Sequence, residues 1–546
     1  MQAVIFDEYM AKGNQSILPD FSYAGYKYGE EEMPEHLVLI PVSDFGIVPD
    51  TGMDVTERIQ QLIDTVGKRG GGVLFFPKGR YDLRMDPGKD NYLKMNYSHV
   101  VLKGEGSGSD GTVFYQHRPI LSEKMPWLSP GIIHTGDALF GNEKFLSPKE
   151  LPQVATISEN AHKGETVLSL SDTSLLKEGD CILLCMRNTD DDGTLIRELI
   201  APLELDPAWE DAHTAGTRRA ASYQWLVEID RVLDERHIRL KQPLRRDVLL
   251  ACAPFVCRID MLRGVGIEDL RLESAWDGGG YYHHKNHEVD YGWSGICMHR
   301  VAHGWVRNVV MNNYTQGIQL RDSRNVTVCQ VEMYGHPGHF GMKCYAHACD
   351  NLFADIDIRS FLTHGVGIEG TTQGNVFTDI RFHAAGTEID SHGGGAPSFN
   401  LFENMVGVSK ISGGGAIFNL PYTGQYNTFW NLRYTHSEPK PGWNTYGDAR
   451  SKTETLLLKK ERRDELFYAW YWSCHMGIDT LQDHRMYPKS IVVGAFASDP
   501  GEEVKVERST YNRSDDWGYV EALNHGPIAP LSVYAAQLEL RLKTRH

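Results

Sequence analysis

Asparagine recurs at near-regular intervals between Trp305 and Arg433, and this repeat limits the folds open to the chain. The steps are 17, 26, 24, 25 and 27 residues, along the positions Asn308, Asn325, Asn351, Asn375, Asn400 and Asn427. The last four of these asparagines begin one phrase, in which Asn, then Leu, Val or Thr, is followed by Phe. Repeats of this size are typical of solenoids, whose units bury their apolar faces only against one another.

The composition of each unit favours strands over helices. A glycine-led phrase recurs between the asparagines, at Gly317, Gly341, Gly365, Gly386 and Gly415. Around it, β-branched and aromatic residues alternate at period two. We therefore predict an all-β, right-handed parallel β-helix, in which equivalent residues of successive coils stack about 4.8 Å apart. The asparagines would form a ladder at one turn, because Asn tolerates left-handed backbone and bonds the next coil.

A segment before the repeats resembles the opening of a known superfamily. A helical pattern starts at Asp54 and precedes the stretch Gly-Gly-Gly-Val-Leu-Phe-Phe-Pro at 70–77 and a strand pattern at 100–105. This order resembles the pectate-lyase-like β-helix superfamily, in which a helix closes the end of the solenoid before the coils begin. The resemblance covers about residues 40–105 and the repeats at 260–435. It implies the fold more than the activity, since the superfamily contains lyases, hydrolases and non-enzymes.

The patterns divide the chain into four parts. We expect an N-terminal cap with the first coils at 1–150, an inserted antiparallel β-domain at 151–250, the main coils at 251–440 and a C-terminal cap at 441–546. The repeat is expected to stop after Tyr434. The final segment, Ser532 to Leu542, fits either a helix capped by Ser532 or a strand. In both cases we expect it to cover the lower end of the solenoid, which would otherwise be an exposed edge.

Charge and apolar runs restrict the partners. The net charge of −17 argues against nucleic acid or an anionic membrane surface. The sequence has no run of 18 apolar residues that would span a membrane. Residues 1–28 show no basic stretch followed by an apolar core, so we expect either a cytoplasmic protein or an exported one separated from its leader. The nine cysteines contain no CxxC pair and are expected to be reduced, while monomer and homo-oligomer both stay open.

Chemistry is expected on the outward face of the second strand of each coil. Isoleucines and a methionine are taken to point inward, at Ile296, Ile318, Met342, Ile368 and Ile389. Their neighbours then form two outward columns. The first column is Cys297, Gln319, Lys343, Glu369 and Glu388, and the second is His299, Arg321, Tyr345, Thr371 and Asp390. Histidines flank these strands at His336, His339, His364, His383 and His392. This dense polar face predicts a substrate groove.

The leading hypothesis is β-elimination on an acidic, uronate-containing polysaccharide or oligosaccharide. A cation must neutralise the sugar carboxylate before a base removes the adjacent proton and an acid protonates the leaving oxygen. Arg321 suits the first role, since its planar fork matches a carboxylate. Lys343 beside that cation is the first candidate base, with His339 or His364 as alternatives, and Tyr345 is the candidate acid. Catalysis by Lys, Arg or His is also what the superfamily resemblance implies for its lyase members.

Two other functions stay open. In glycoside hydrolysis, or in glycan transfer by the same paired carboxylates, Glu369 and Glu388 about 5 Å apart would suit a retaining pair, and Glu369 with Asp390 at roughly 8 Å an inverting pair. A non-catalytic, tailspike-like β-helix would bind glycans without cutting them. Asp390 and His392 lie in one phrase before three glycines and belong to the candidate catalytic set.

Substrate contacts are predicted for polar and aromatic residues near the groove. The polar ones are His299, Gln319, His336 and His383, and the aromatic ones are Trp276, Trp293 and Tyr422. A cluster at His283, His284, His287, Glu288 and Asp290 fits no established ligand spacing, so the residues themselves predict no metal site. Calcium is the cofactor that the superfamily resemblance implies.

Overall fold

Two long sheets of mainly parallel strands form the body of the protein. The computed structural model describes residues 1–35, 38–121, 129–136, 151–190, 193–202, 223–281, 286–384, 387–413, 423–436, 473–477, 487–506 and 518–544. Within these residues the larger sheet has 17 strands and the smaller one has 10. Between Gly266 and Ser391 the strands of the two sheets alternate along the chain, as in a coil. The predicted all-β parallel β-helix is confirmed.

The two long sheets are built from short strands that come from successive coils. The 17-stranded sheet consists of Ile40–Pro41, Gly72–Phe76, Gly79–Leu83, Val100–Gly104, Thr112–Gln116, Gly266–Ser274, Trp305–Asn312, Thr327–Tyr334, Leu352–Ile358, Val376–Phe382, Leu401–Glu403, Val406–Val408, Thr428–Trp430, Arg433–Tyr434, Ser490–Val493, Phe496–Ala497 and Gly518–Glu521. The ten-stranded sheet consists of Leu93–Met95, Ile133–Thr135, Ser294–His299, Gln316–Arg321, Gly338–Tyr345, Leu362–Ile368, Glu388–Ser391, Lys410–Gly413, Ser473–Gly477 and Lys505–Val506. Ser473–Gly477 runs antiparallel to both of its neighbours.

The asparagine ladder forms over four coils. Asn351 Nδ2 donates to Asn375 Oδ1 at 2.9 Å, Asn375 Nδ2 to Asn400 Oδ1 at 2.9 Å, and Asn400 Nδ2 to Asn427 Oδ1 at 3.1 Å. The left-handed backbone expected at these asparagines instead belongs to the residue before each of them, namely Asp350, Gly374, Phe399 and Tyr426. The ladder therefore rests on hydrogen bonds of the asparagine side chains, both to one another and to backbone groups of neighbouring coils.

Asn308 does not belong to this ladder, contrary to the prediction. It lies inside the strand Trp305–Asn312, and its Nδ2 donates to Asp269 Oδ1 at 2.7 Å. Its φ of 52° matches a second column of left-handed residues, which includes Asp269, Asp355 and Asp379. Asn308 is 17 residues from Asn325, whereas the ladder steps are 24 to 27 residues, because it occupies a different position in the coil.

The interior of the solenoid is apolar and stacked. The phenylalanine of the repeated phrase forms a column, in which Phe353, Phe377, Phe402 and Phe429 stack with ring centres 4.7, 5.0 and 5.4 Å apart. The helix Thr56–Lys68 closes one end by packing buried Ile59, Leu62 and Ile63 against the same core. Val55 is the N-cap residue of this helix, and Asp54, one residue earlier, accepts a hydrogen bond from Thr56 N at 2.9 Å through its Oδ1.

Both ends of the described chain pack on the outer side of the larger sheet. The helices Val4–Lys12 and Val533–Lys543 contribute to one cluster with the outward residues Leu401, Trp430 and Ile491. The final segment is thus a helix, and Ser532 caps it by accepting from Ala535 N at 3.0 Å. It packs against the side of the solenoid, and the expectation that it covers the lower end is wrong.

Parallel coils also continue beyond the point predicted. Ser490–Val493 pairs in parallel with Thr428–Trp430, and Gly518–Glu521 pairs in parallel with Ser490–Val493. These coils lack the asparagine phrase by which the repeat was recognised, so the sequence pattern ends at Tyr434 although the sheet does not.

A separate sheet of six antiparallel strands packs beside the coils. Its strands are Gln153–Thr156, Val167–Ser169, Cys181–Met186, Tyr223–Val232, His237–Leu240 and Phe255–Ile259. It contacts the turns that follow the ten-stranded sheet, where Tyr223 OH bonds Gln373 Oε1 at 3.1 Å and Arg324 donates to Gln242 Oε1 at 2.9 Å. A two-stranded pair joins Leu262–Arg263 to Val301–Ala302.

Short helices and the cysteines complete the described part of the chain. Beyond the three helices named above there is Thr194–Ile200, with single turns at Gly13–Gln15, Tyr26–Gly29, Val42–Phe45 and Leu250–Cys252 and a π-helical turn at His287–Tyr291. The eight cysteines in the described segments are free thiols. None of the described helices is both long and apolar enough to cross a membrane.

Candidate functional site

The outer face of the ten-stranded sheet carries most of the predicted site residues. Strand pairing places Cys297, Gln319, Lys343, Gly367 and Asp390 in one column. Cys297, Gln319 and Lys343 match the prediction, whereas Gly367 and Asp390 stand where Glu369 and Glu388 were expected. The inward column is Ile296, Ile318, Met342, Val366 and Ile389, with Val366 in place of Ile368.

This difference has a simple physical origin. Val366 and Ile368 are both apolar and both face inward, so a slip of two residues leaves the inward–outward pattern unchanged. The predicted pairing of Glu369 with Glu388 as stacked neighbours is therefore wrong, whereas Glu369 and Asp390 remain diagonal neighbours, because Asp390 pairs with Gly367, two residues before Glu369. Glu388 stacks with Lys410 of the next coil, and Asp390 stacks with Gly367.

Two cations and a tyrosine form the first half of the site, which we call the cation cluster: Arg321, Lys343, Tyr345 and Glu369. Arg321 pairs with Tyr345 across neighbouring coils. The guanidinium carbon of Arg321 and the Nζ of Lys343 each lie 5.1 Å from the centre of the Tyr345 ring. Glu369 Oε2 lies 2.5 Å from Lys343 Nζ. All four side chains are buried, so their charges act in a medium of low dielectric constant.

Tyr345 is held in its protonated form. Burial raises the pKa of Tyr345 well above its usual value, and the nearby Glu369 charge raises it further, while Arg321 opposes the shift. A phenol that keeps its proton at neutral pH can donate it to a leaving oxygen.

The contacts of Lys343 differ from those expected of a base. That hypothesis required a lysine influenced mainly by the neighbouring Arg321. With the Glu369 carboxylate in contact, Lys343 is an ion-paired ammonium, which suits a role as a second cation better than a role as a base.

His339 is oriented by a carboxylate that lies 49 residues earlier in the chain. Its Nδ1 is 3.0 Å from Asp290 Oδ2, and both side chains are buried. Asp290 belongs to the π-helical turn His287–Tyr291, whose Tyr291 packs edge-on against the His339 ring at 5.3 Å. A carboxylate that accepts from Nδ1–H leaves Nε2 as the basic nitrogen, as in the histidine of a catalytic triad.

The second half of the site, which we call the histidine–carboxylate cluster, contains His364, Glu388, Asp390 and His392. Nδ1 of His364 lies 2.7 Å from Glu388 Oε1 and 3.6 Å from Asp390 Oδ1. His392 Nδ1 bonds Asp390 Oδ2, and Lys410 Nζ lies 3.1 Å from Glu388 Oε2. Burial lowers the pKa of His364, although the charges of Asp390 and Glu388 act in the opposite direction.

Phe340 connects the two halves. Lys343 Nζ lies 4.2 Å from the centre of its ring, and the His364 ring stacks on it with centres 4.5 Å apart. The His339 ring centre is 4.6 Å from the same Phe340 ring. An aromatic residue on a strand gave no signal in the sequence, but it is the common neighbour of the candidate base, a cation and His364.

Two of the residues predicted to contact substrate, His299 and Gln319, lie on the ten-stranded sheet and hydrogen-bond to nearby side chains. His299 Nε2 is 3.0 Å from Asp322 Oδ2, and Asp322 also contacts His347 Nδ1 at 2.6 Å. Burial alone would raise the pKa of Asp322, but the hydrogen bonds with the two histidines lower it well below its usual value. Gln319 Nε2 donates to Gln316 Oε1. His299 is therefore part of a buried His–Asp–His network beside Arg321.

The other predicted contact residues that the structure describes make their contacts outside the two clusters. Trp276 and Trp293 are buried and pack against each other with ring centres 6.2 Å apart, so neither ring offers an open face for sugar stacking. His383 lies after a strand of the larger sheet and contacts Asp357 Oδ1 at 2.5 Å. His336 is exposed, and its backbone N–H donates to Asn313 Oδ1 at 3.2 Å. Tyr422, His283 and His284 lie outside the described residues.

The donor atoms of the site do not fit calcium. Calcium takes six to eight oxygen ligands from carboxylates, carbonyls and water. Within the described segments, the group of at least three residues that converges as candidate metal ligands is His364, Asp390 and His392, and two of its three donors are imidazole nitrogens. The calcium implied by the superfamily resemblance is thus not supported by this donor set.

Comparisons with known proteins do not assign the chain to a family. No protein-family model matches it. Among curated proteins, the α-1,3-galactosidase B of Bacteroides thetaiotaomicron is 48% identical over 44 residues, which are 8% of this chain and 7% of that protein.

Three solved structures are similar to the chain at low sequence identity. The gp54 tailspike of Acinetobacter baumannii bacteriophage AP22, in complex with capsular saccharide, is 8% identical, with a TM-score of 0.46 over 84% of this chain and 57% of that one. The tailspike gp49 of Pseudomonas phage LKA1 is 10% identical, with a TM-score of 0.49 over 84% and 64%. The AlgE4 A-module, a mannuronan C-5 epimerase of Azotobacter vinelandii, is 12% identical, with a TM-score of 0.39 over 84% and 75%. The chain thus spans less than two thirds of the two tailspikes, and these similarities carry no reaction with them.

Proposed function

We propose that this protein cleaves an acidic, uronate-containing polysaccharide by β-elimination at the cation cluster. The observation that carries the proposal is that Arg321 and Lys343, from adjacent coils, lie over one tyrosine ring at 5.1 Å each. Two fixed cations beside a protonated phenol are what the elimination of a uronate requires. The positive charge stabilises the carboxylate-derived enolate, and the phenol protonates the leaving oxygen.

The roles follow from the contacts of each residue. Arg321 and Lys343 bind the C6 carboxylate, which makes the C5 proton acidic. His339, oriented by Asp290, removes that proton through Nε2. The electron pair of the C5–H bond forms the C4–C5 double bond, the bond from C4 to its oxygen breaks, and that oxygen takes the proton of Tyr345. The products are an unsaturated uronate and a new sugar end.

His339 suits the base better than the two alternatives. Lys343 is ion-paired with Glu369. His364 lies against Glu388 and Asp390, so its Nδ1 already faces two carboxylate groups. His339 contacts the Asp290 carboxylate through Nδ1 and shares Phe340 as a neighbour with Lys343, which places a base beside a cation.

The test is an activity screen on pectins, alginates, glycosaminoglycans and glucuronans, in which ultraviolet absorbance and reducing ends are followed together. We expect both signals to rise in parallel on at least one polymer. Lys343→Ala and Tyr345→Phe should then abolish the absorbance signal. Lys177→Ala, at an exposed lysine of the antiparallel sheet region, serves as the matched control and should leave it unchanged.

The other two functions predict different outcomes. Reducing ends that appear without absorbance would indicate hydrolysis, and in that case Glu369→Gln should be more damaging than Lys343→Ala. Binding to a polymer with neither signal would indicate a glycan-binding protein. Either result overturns the proposed elimination.

A further inference from the structure

The histidine–carboxylate cluster is built from residues that the proposed elimination does not use. His364 lies on the strand Leu362–Ile368, Asp390 on the neighbouring strand Glu388–Ser391, and His392 directly after that strand. Asp390 pairs with Gly367, three residues after His364. Two adjacent coils thus bring the three side chains to one place on the outer face of the sheet.

The geometry of the three donor atoms is that of a metal site. One donor atom from each of His364, Asp390 and His392 lies within 4.8 Å of the other two. A tetrahedral ion with bonds of about 2.0 Å holds its ligand atoms about 3.3 Å apart, so small side-chain rotations would close the site. All three residues are buried on rigid strands or directly beside one, which is how preorganised metal sites are held.

The surrounding charges favour a bound cation. Asp390 and Glu388 are both fully buried, and the ammonium of Lys410 lies 3.1 Å from Glu388 Oε2. Buried carboxylates need a compensating charge nearby, and a divalent ion between Asp390 and the two imidazoles supplies one. Glu388, 2.7 Å from His364, stands where an outer carboxylate orients a metal-bound histidine.

We propose that His364, Asp390 and His392 bind a divalent transition-metal ion of the zinc type. Two imidazole nitrogens and one carboxylate oxygen match the preferences of zinc and its neighbours and not those of calcium. Three protein ligands leave a coordination position for water or a ligand oxygen. The bound ion would lie next to Phe340, whose ring also contacts Lys343, and would therefore extend the row of cations formed by Arg321 and Lys343. This binding does not depend on the proposed elimination.

The experiment is calorimetric titration of the purified full chain, stripped of metal with a chelator and dialysed, with Zn²⁺, Mn²⁺ and Ca²⁺ separately. We expect one equivalent of Zn²⁺ to bind and Ca²⁺ to bind at least about 100-fold more weakly. His392→Ala and Asp390→Asn should each weaken Zn²⁺ binding by at least about 100-fold. His383→Ala removes an exposed histidine that also contacts an aspartate, but on the other sheet, and should bind Zn²⁺ as the unchanged protein does.

A second measurement keeps the proposal testable if the variants do not fold. Co²⁺ added to the stripped, unchanged protein should give the strong visible absorption of a four-coordinate ion, and Zn²⁺ should abolish it. No Zn²⁺ binding, or Zn²⁺ binding that survives in a folded His392→Ala protein, would show that His392 and Asp390 are simply a hydrogen-bonded pair. Zinc binding without elimination activity would count against the proposed function alone.

Discussion

Lys343 Nζ lies 2.5 Å from Glu369 Oε2 on the next coil, and the two side chains are 10% and 4% exposed. A buried ion pair of this kind costs desolvation energy when it forms, so its loss is felt mainly through the charge left behind. The contact also connects the cation proposed to bind substrate with the coil that follows it.

We predict that Glu369→Gln lowers the free energy of unfolding by about 3 kcal/mol, because Lys343 keeps a buried charge without its carboxylate. Adding Lys343→Met should restore part of the loss, so that the double variant is more stable than the sum of the single effects. Urea unfolding of the four proteins measures this coupling. The exposed pair Lys12–Glu8 is the control, and Glu8→Gln should change stability by less than about 0.5 kcal/mol. Strictly additive effects at Lys343 and Glu369 would contradict the prediction.

A second prediction concerns Asp290, which we regard as a positioning residue. Asp290→Asn keeps the size of the side chain but no longer holds the Nδ1–H tautomer of His339. We expect kcat for elimination to fall by about 10²- to 10⁴-fold with little change in KM, since the cations that bind substrate are untouched. Glu288→Gln alters an exposed carboxylate in the same turn and should leave kcat unchanged. An Asp290→Asn protein with raised KM and unchanged kcat would point to a role in binding.

Local patterns in the sequence were enough to predict the solenoid. The asparagine and phenylalanine of the repeated phrase stack in the structure because equivalent residues of parallel coils are direct neighbours. The outward direction of Gln319, Lys343 and Arg321 follows from the same period-two alternation.

The exact neighbours across coils could not be predicted in this way. A coil that is two residues shorter or longer keeps every side chain on its face, so alternation cannot distinguish Val366 from Ile368 as the partner of Met342. The contact between Asp290 and His339 depends on a π-helical turn that folds back over the sheet, and no spacing rule connects residues 49 positions apart. The coils after Tyr434 were missed because they do not contain the asparagine phrase.

Gly341 illustrates the close approach of adjacent coils. A Cβ at this position would clash with the backbone oxygen of Gly365 on the next coil, which cannot move away as a flexible side chain would. We predict that Gly341→Ala destabilises the protein by at least about 2 kcal/mol in urea unfolding. Gly367→Ala is the matched control, because the nearest atom to its Cβ is Phe340 Cε1 at 3.4 Å, and it should cost less than about 1 kcal/mol. Equal effects of the two substitutions would rule out this steric explanation.

The ladder offers a test of side-chain hydrogen bonding between coils. Asn375 accepts from the backbone N and Nδ2 of Asn351 and donates to Ala348 O and Asn400 Oδ1, all within the buried turn. Asn375→Ala would leave several of these groups unsatisfied, and we predict a loss of about 3 kcal/mol. Asn375→Ala combined with Asn400→Ala should cost at least about 1 kcal/mol less than the sum of the single variants, since the two residues share a bond. Full additivity in urea unfolding would mean that the asparagines act independently.

Glu403 makes the attachment of the C-terminal helix sensitive to pH. Its carboxylate accepts from Ser532 Oγ at 2.6 Å and from Val533 N at 2.7 Å, at the start of the helix Val533–Lys543. Burial raises the pKa of Glu403 to about 7, although these hydrogen bonds act in the opposite direction. When the helix detaches, the carboxyl group regains its ordinary pKa near 4.3 in water.

When the helix is docked, Glu403 therefore keeps its proton over a pH range in which it has lost the proton when the helix is detached. Between about pH 4.5 and pH 7 the stability of the docked helix must fall as pH rises, by a total of about 3 kcal/mol, and stay constant above that range. Hydrogen exchange of the helix amides, corrected for the intrinsic pH dependence of exchange, measures the free energy of local opening at pH 5 and pH 8. Glu403→Gln cannot ionise and should remove the difference between the two values, whereas Glu178→Gln, at an exposed site, should preserve it. If the protection of the helix amides instead rises with pH in the unchanged protein, the prediction is wrong. The hydrogen bonds to the Glu403 carboxylate would then outweigh its burial.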